Sequence, residues 1–340
     1  MVFMKVEKLK NHFKSLIVLF LILIVVCIFF LWVQSENYHQ VSYFEEEPVF
    51  QETNMQKEVD AYYQNCLASP YVSEKTESLI QEFLDKYQND TFAVYFEDIN
   101  NQYTILKNEN TVYYGASLIK LLDATYLIRQ AMADEISLEE TIEYQAKHQR
   151  AYSIGMTDYH YGDKVRLYDL IYYAIAYSDN TAHEMLYEYI GVETLREYAS
   201  SLGVSLTVNQ EEHFGNLTVT MANNILKEVY DILLLDNEYS ELLLKSMNNT
   251  YFNSLNYDGI EILHKYGSLD PNFHDIGIYN DPDYPYFISV MSLIGEQESP
   301  NQITTIHQEI RDIYKSNLLD KTSYCLAEKE EYESSLAENN

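Results

Sequence analysis

Residues 113–128, YYGASLIKLLDATYLI, place a serine and a lysine three positions apart at the head of an apolar run. In a helix, positions i and i+3 lie on the same face, so Ser117 and Lys120 are expected to point the same way. A lysine that points into apolar surroundings is costly unless it is paired or used. The stretch therefore predicts a buried helix whose lysine is either a spare charge or the base that activates the serine.

A second motif, SDN at residues 178–180, interrupts a long helical pattern. Ser, Asp and Asn are the residue types that favour helix N-caps, so on its own the motif predicts that Asp179 caps a helix starting at Thr181. The same three polar side chains at a break between two helices are also suited to a binding or catalytic site.

A third motif lies in EILHKYGS at residues 261–268, a strand-like run that carries Lys265 and Gly267. Alternation along a strand puts these two residues on one face and Tyr266 on the other. A glycine inside a strand often marks a close approach by a ligand. The run therefore predicts a strand whose lysine and glycine face a site.

Taken together, SLIK, SDN and KYG resemble, in order, the S-x-x-K, S-D-N and K-T-G signature of class A β-lactamases and penicillin-binding proteins. The resemblance covers about residues 73–316. It implies an α/β (α+β) fold in which an antiparallel sheet is flanked by helices and joined by a helical subdomain. It also implies a serine hydrolase that acts on β-lactams or D-Ala-D-Ala-type cell-wall peptides, with no metal or organic cofactor.

The resemblance implies a role for each motif residue. Ser117 would be the nucleophile that gives an acyl-enzyme, and Lys120, made neutral by desolvation and nearby positive charge, would take its proton. Ser178 would relay a proton to the leaving nitrogen. Asn180 would bind the amide side chain of the substrate, and Lys265 would attract its carboxylate.

The strand motif departs from the family pattern in two ways. Tyr266 stands where the family has Thr or Ser, so a large ring replaces a small hydroxyl, and no arginine occurs between Gly267 and Met291. We still expect Tyr266, Gly267 and Ser268 to be substrate-binding residues. The backbone N–H groups of Ser117 and Ser268 would form the oxyanion hole.

The residue that would hydrolyse the acyl-enzyme is less well defined by the sequence. Class A enzymes hold a glutamate on a loop with an asparagine four residues later, and Glu212 and Asn216 have that spacing. Glu211 competes for the role, and both glutamates are also compatible with surface acids of an acidic protein. If neither acts, the acyl-enzyme would turn over slowly, as in a penicillin-binding protein.

Two other functions fit the same residues. A non-catalytic sensor that captures penicillins or peptidoglycan fragments is favoured by Tyr266 and by the missing arginine, although the intact Ser117–Lys120 pair favours catalysis. An esterase on the same scaffold would suit a reshaped pocket.

The hydrophobic periodicity predicts an antiparallel sheet that is split by a helical insertion. Ser73 is a predicted N-cap of the first helix of this domain. The predicted helices cover residues 73–87, 121–198 with breaks near 151–162 and 178–180, 221–235 and 300–313, and the predicted strands cover 91–98, 102–106, 261–268, 275–279 and 286–294.

The front of the chain predicts an uncleaved membrane anchor. Eighteen residues from Leu16 to Val33 lack charge, and as a helix they would span about 27 Å, close to the hydrocarbon thickness of a bilayer. Lysines before this span and glutamates after it place the N-terminus in the cytoplasm and the catalytic part outside. The predicted segments are a cytoplasmic N-terminus (1–14), a single-pass signal anchor (15–34), a tether (35–69), the hydrolase domain (70–318) and an acidic tail (319–340).

The net charge of −31 over 340 residues limits the partners. Such a surface repels nucleic acid, so we expect none as a partner, and we expect a monomer attached to the membrane by the anchor alone. Cys66 and Cys325 are far apart and form no metal-like motif. A disulfide between them is compatible with the sequence, but the spacing does not support it.

Overall fold

The computed structural model describes residues 54–338, except residues 102, 210 and 211. The predicted cytoplasmic N-terminus and anchor, most of the predicted tether, and Glu211 therefore lie outside the described residues. Within the described ranges, no helix is long and apolar enough to cross a membrane. A compact unit begins at Val59.

The centre of this unit is a five-stranded antiparallel sheet with the order β2-β1-β9-β8-β7. A hairpin from the first part of the chain supplies two strands, and the three later strands are contiguous in sequence. Pairing of β1 with β9 joins the two sets. The strands are β1 (Ala93–Asp98), β2 (Tyr103–Lys107), β7 (Leu263–Leu269), β8 (Asn272–Tyr279) and β9 (Tyr286–Ser292).

Helices pack on both faces of the sheet, and two short two-stranded pairings, β3 with β6 and β4 with β5, accompany them. The helices are α1 (Asn54–Ala68), α2 (Glu74–Lys86), α3 (Lys120–Met132), α4 (Leu167–Ala176), α5 (Asn180–Ile190), α6 (Val192–Ser201), α7 (Val219–Leu233), α8 (Glu238–Asn248) and α9 (Ser299–Glu338). The short strands are β3 (Tyr113–Tyr114), β4 (Thr141–Glu143), β5 (Lys164–Arg166) and β6 (Asn216–Leu217).

The sheet separates two apolar cores. Alternate residues of β9 point to opposite sides, so Phe287 and Met291 join the core shared with α3 to α8, whereas Ile288 and Val290 join the core shared with α2 and α9. All seven residues of β9 are buried, as expected of a strand that is covered on both faces. The predicted mixture of helices and a split antiparallel sheet is confirmed.

Two parts of the helical insertion differ from the prediction. Residues 141–150 and 163–166, on either side of the predicted break at 151–162, contain the short β4–β5 pair and a 3₁₀ turn instead of helix. β-branched residues such as Thr141 and Ile142 disfavour a helix there, and Tyr152 has a positive φ of 60° that interrupts any regular element. Helix α8 was not predicted either. Ser73, by contrast, caps α2 as predicted, because its hydroxyl accepts from the Thr76 N–H at 3.0 Å.

The two ends of the described chain are more ordered than predicted. Helix α1 occupies part of the segment predicted as a tether, and α9 continues through the segment predicted as a frayed acidic tail. A disulfide between Cys66 and Cys325 joins the two helices, and Tyr71 stacks on Tyr324 with ring centroids 5.1 Å apart. These contacts give α9 a packing surface that its charge-rich sequence does not reveal.

Candidate active site

Ser117 lies where the helical insertion begins, in a 3₁₀ turn over Ala116–Ile119 that leads directly into α3. A 3₁₀ turn has three residues per turn, so positions i and i+3 align closely. The Lys120 Nζ is accordingly 3.0 Å from the Ser117 Oγ. The preceding residue, Ala116, has a left-handed φ of 46°. Such strain at a non-glycine residue is typical of functional sites.

Lys120 is fully buried, and three of the four oxygen atoms that contact its Nζ lie within 3.0 Å. It lies 2.6 Å from the Ser178 carbonyl oxygen, 2.7 Å from the Asn180 Oδ1 and 3.0 Å from the Ser117 Oγ. Burial lowers the pKa of Lys120 to about 7, against the opposing effect of the Asp179 and Asp123 carboxylates. A neutral amine has two N–H donors and one lone pair, so the carbonyl and the amide oxygen can take both donors and leave the lone pair for the serine hydroxyl.

The SDN residues connect the two lysines of the site. Ser178 has a left-handed φ of 52°, and its Oγ lies 3.4 Å from the Lys120 Nζ and 2.9 Å from the Lys265 Nζ. Asp179 caps α5 by accepting from the Ala182 N–H at 2.8 Å. The predicted N-cap is therefore confirmed, with the helix beginning one residue earlier than expected, and the same cap holds Ser178 between the lysines.

Strand β7 brings the third motif to the 3₁₀ turn. The Lys265 side chain is fully buried and donates to the Ser178 Oγ and to the Tyr266 carbonyl oxygen, each at 2.9 Å. Burial, together with the charge of Lys120, lowers the pKa of Lys265 well below its usual value. A Cβ at Gly267 would lie 3.0 Å from the Gly115 carbonyl oxygen and 3.3 Å from the Ser117 nitrogen. Because Gly267 has no side chain, the backbone of the 3₁₀ turn can approach the strand closely. The sequence had predicted a ligand at this place.

Tyr266 has most of its side chain in the second core. Its ring packs edge-on against Phe252, with centroids 5.1 Å apart, and stacks on Phe273. The Lys265 Nζ lies 4.3 Å from the ring centroid. Burial raises the pKa of Tyr266, and a hydrogen bond with Ser178 acts in the opposite direction. The Tyr266 hydroxyl therefore contacts Ser178, while the Tyr266 ring packs in the second core and does not line the cavity.

A cavity of about 650 Å³ opens over Ser117. Of the predicted site residues, Ser117, Asn180, Glu212 and Ser268 line it. Those that are buried beside it and do not line it are Lys120, Ser178, Lys265, Tyr266 and Gly267. The predicted site residues other than Glu211 therefore lie together around Ser117. Some of them line the cavity, and the others are buried beside it.

Glu212 lines this cavity, but its hydrogen-bond partners are residues other than Ser117 and Lys120. Its Oε1 accepts from the Tyr114 hydroxyl at 3.1 Å and from the Phe214 N–H at 3.0 Å. The Phe214 ring centroid lies 5.7 Å from the Lys120 Nζ, so a ring occupies the space over the ammonium group. Asn216, which shares the expected spacing with Glu212, is exposed on β6.

One wall of the cavity was not anticipated from the sequence. The Glu184 carboxylate binds the Arg150 guanidinium at 2.7 Å and the His213 Nδ1 at 2.8 Å, and all three residues line the cavity. Glu184 stands four residues after Asn180 on α5, so the helical repeat places it on the same face. Its two partners come from loops, which helical spacing does not predict.

A buried histidine on β8 is hydrogen-bonded to the residues that precede the 3₁₀ turn. The His274 Nε2 donates to the Tyr114 carbonyl oxygen at 2.9 Å, and its Nδ1 accepts from the Ser292 N–H at 3.3 Å. Burial lowers the pKa of His274 to about 4. The neutral ring therefore ties the residues just before Ser117 to β8, and the histidine in HDIGIY is the sequence signal for it.

A model of the beta-lactamase enzyme family matches residues 75–316. A comparison with curated proteins finds no match.

Solved structures with the same fold include beta-lactamases and a penicillin-binding protein. A PBP-A mutant, solved as an acyl-enzyme complex with penicillin G, is 17% identical, covers 71% of this chain and 97% of its own, and has a TM-score of 0.63. A beta-lactamase from Chitinophaga pinensis DSM 2588 is 21% identical, with coverages of 70% and 99% and a TM-score of 0.60. The TLA-3 extended-spectrum beta-lactamase is 19% identical, with coverages of 72% and 99% and a TM-score of 0.62. At these identities the likeness shows a shared fold.

Proposed function

Because the chain belongs to the beta-lactamase enzyme family, we propose that it is a serine acyl-hydrolase that acts on β-lactams or D-Ala-D-Ala-type cell-wall peptides. The contact that carries the proposal is the 3.0 Å approach of the Lys120 Nζ to the Ser117 Oγ. The lysine is fully buried, and its pKa is lowered to about 7. A weak hydroxyl nucleophile beside a base of this kind is the usual arrangement for covalent catalysis.

The proposed reaction has two steps. The Ser117 Oγ bonds to the substrate carbonyl carbon while its proton passes to the Lys120 amine. The carbon–nitrogen bond then breaks, and the proton moves from Lys120 through the Ser178 Oγ to the leaving nitrogen. Water later attacks the ester, which releases the acid and restores the hydroxyl. The 3.4 Å separation between Lys120 and the Ser178 Oγ supports this relay.

Substrate contacts are proposed for the residues around the nucleophile. Asn180 binds the amide side chain of the substrate, and the backbone N–H groups of Ser117 and Ser268 stabilise the oxyanion. Lys265 contributes through Ser178, to which it is hydrogen-bonded at 2.9 Å. The PBP-A acyl-enzyme with penicillin G, which shares this fold, supports a penicillin as the first ligand to test.

Attachment to the membrane, with the catalytic part outside the cytoplasm, is part of the same proposal. The apolar span and its flanking charges support it. The disulfide between Cys66 and Cys325 is a further argument, because disulfides persist in oxidising compartments.

A slowly deacylating, penicillin-binding role is the second candidate, and the position of Glu212 favours it. Its Oε1 is engaged by Tyr114 and Phe214. Among the hydrogen bonds of the described residues, none joins Glu212 to Ser117 or Lys120. A glutamate that activates water has to accept a hydrogen bond from a water molecule beside the ester carbon, and the two contacts of the Glu212 Oε1 compete with that role.

The test is the intact mass of the full chain after incubation with benzylpenicillin, with Ser117→Ala as the control. An adduct of one ligand mass that is absent from the control is the expected result. A long-lived adduct would favour the penicillin-binding role, and a transient adduct with loss of ligand would favour a β-lactamase. With a β-lactamase result, Glu212→Gln should prolong the adduct. No adduct with wild-type protein would contradict the proposal and favour an esterase.

A further inference from the structure

The Ser268 side of the cavity carries a carboxylate. Ser268 lines the cavity, and its Oγ donates to the Glu296 Oε2 at 3.2 Å. Glu296 is exposed, so its carboxylate lies at the surface beside Ser268. Its negative charge also raises the pKa of Tyr266, which places it within electrostatic range of the Tyr266 hydroxyl. A substrate group that binds at Ser268 would therefore lie near the Glu296 carboxylate.

The backbone around Glu296 is fixed in place. The Gly295 N–H donates to the Pro271 carbonyl oxygen at 2.9 Å, and the Ser299 N–H donates to the Gly295 carbonyl oxygen at 3.0 Å. Gly295 has a φ of 83°, which favours glycine. The loop is thus tied both to the β7–β8 turn and to the start of α9, which keeps Glu296 beside Ser268.

Positive charge that would offset Glu296 is weak at this site. Among the described residues that line the cavity, Arg150 is the one with a guanidinium or ammonium group, and it is paired with Glu184. Lys265 is fully buried, and its Nζ is engaged by Ser178 and by a carbonyl oxygen. Burial lowers the pKa of Lys265 well below its usual value, which favours its neutral form.

We propose that the charge of Glu296 disfavours a carboxylate on this side of the cavity, so that Ser117 is acylated faster by a substrate whose carboxylate is masked than by the same substrate with its carboxylate free. This inference rests on the proposed acyl-transfer function and concerns the preference of the same site among its substrates. The net charge of −31 acts in the same direction, because it disfavours the approach of anionic ligands.

The test uses benzylpenicillin and its methyl ester, which differ at the carboxylate. Acylation rates of the full chain are measured by intact mass for wild type, for Glu296→Gln and for Glu298→Gln. Glu298 is an exposed acid two residues further on, so it controls for loss of surface charge. Glutamine keeps an oxygen acceptor for Ser268. The effect of each substitution on the acid-to-ester rate ratio is compared, so the intrinsic reactivities of the two ligands cancel.

We expect Glu296→Gln to raise the acid-to-ester rate ratio about tenfold, the effect of removing one like charge a few ångströms from the ligand. Glu298→Gln should change the ratio less than twofold. An unchanged ratio in Glu296→Gln, or an equal rise in both variants, would overturn the inference alone. No adduct from either ligand would overturn the proposed function and this inference with it.

Discussion

At the scale of single residues, the site depends on an ammonium group whose surroundings favour its neutral form. Burial lowers the pKa of Lys120 to about 7, and the carboxylates of Asp179 and Asp123 oppose this effect. A solvent-exposed lysine, with a pKa of about 10.4, would be almost wholly protonated at neutral pH. Lys120 is therefore able to accept the Ser117 proton under ordinary conditions.

We expect the acylation rate with benzylpenicillin to rise about tenfold per pH unit below pH 7 and to level off above it, because only the neutral amine accepts the proton. The measurement is the second-order rate of adduct formation between pH 5 and pH 9. Lys120→Arg serves as the control, since arginine stays charged over this range and should lose the reaction. A rate that is flat or falls through pH 7 would contradict Lys120 as the base.

The predicted site residues that lie together include neighbours that local geometry located and distant ones, such as Ser178 and Lys265, that the family resemblance located. The spacing of Ser117 and Lys120 follows from helical geometry, and Asp179 from its capping preference. The Arg150–Glu184 pair was missed because a tertiary contact between a loop and a helix decides it. Of the two causes predicted for a neutral Lys120, burial is the main cause of the lowered pKa, whereas the nearby charges that act on it are carboxylates and oppose the shift.

At the scale of elements, the edge strand β7 and the 3₁₀ turn form one unit through Gly267. A Cβ at this position would meet the Gly115 carbonyl oxygen at 3.0 Å, and this atom belongs to the backbone. Backbone atoms yield less than the end of a flexible side chain, so a larger residue has to move the turn or the strand. Either movement displaces the Ser117 nitrogen from its proposed place in the oxyanion hole.

We expect Gly267→Ala to lower the acylation rate at least tenfold and Gly267→Val to abolish adduct formation. The cost in stability should be about 1–3 kcal/mol, as for other overpacked sites. Adduct formation and urea unfolding are measured on the same samples, so a loss of activity is separated from a loss of fold. Wild-type acylation by Gly267→Ala would show that the close approach is not needed.

The elements that were predicted well from the sequence are those whose residue types follow a clear helical or strand pattern. The β9 segment YFISVMS and the helix after Thr218 have strong β and helical patterns. Residues 141–166 lack a period, and the short β4–β5 pair there depends on cross-strand partners such as Ile142 and Val165. Such pairing is set by contacts that the local sequence does not show.

At the scale of the whole molecule, two buried histidines connect stability to pH. His274 is bonded to the Tyr114 carbonyl oxygen on one side of the sheet. His307 on α9 contacts the Tyr286 hydroxyl and the Leu255 carbonyl oxygen, each at 2.8 Å. Burial lowers the pKa of both rings to about 4. The unfolded chain therefore binds protons at a higher pH than the folded chain does.

We expect the free energy of unfolding to fall as pH drops from about 6.5 to about 4, with each buried histidine contributing at most roughly 3 kcal/mol. Urea unfolding at several pH values in this range measures the slope. His307→Gln should reduce the slope of the free energy of unfolding against pH by the amount that corresponds to about one bound proton. His160→Gln should leave it unchanged, because His160 is exposed. Equal slopes in wild type and His307→Gln would contradict the assignment.

The disulfide between Cys66 and Cys325 encloses the sheet and the catalytic cavity within one covalent loop, since the two cysteines are 259 positions apart. A mechanical pull applied to the chain before Cys66 and after Cys325 would pass through the sulfur–sulfur bond. The strands between them would carry none of that load. Stretching from outside the loop would therefore leave Ser117 and its partners in register.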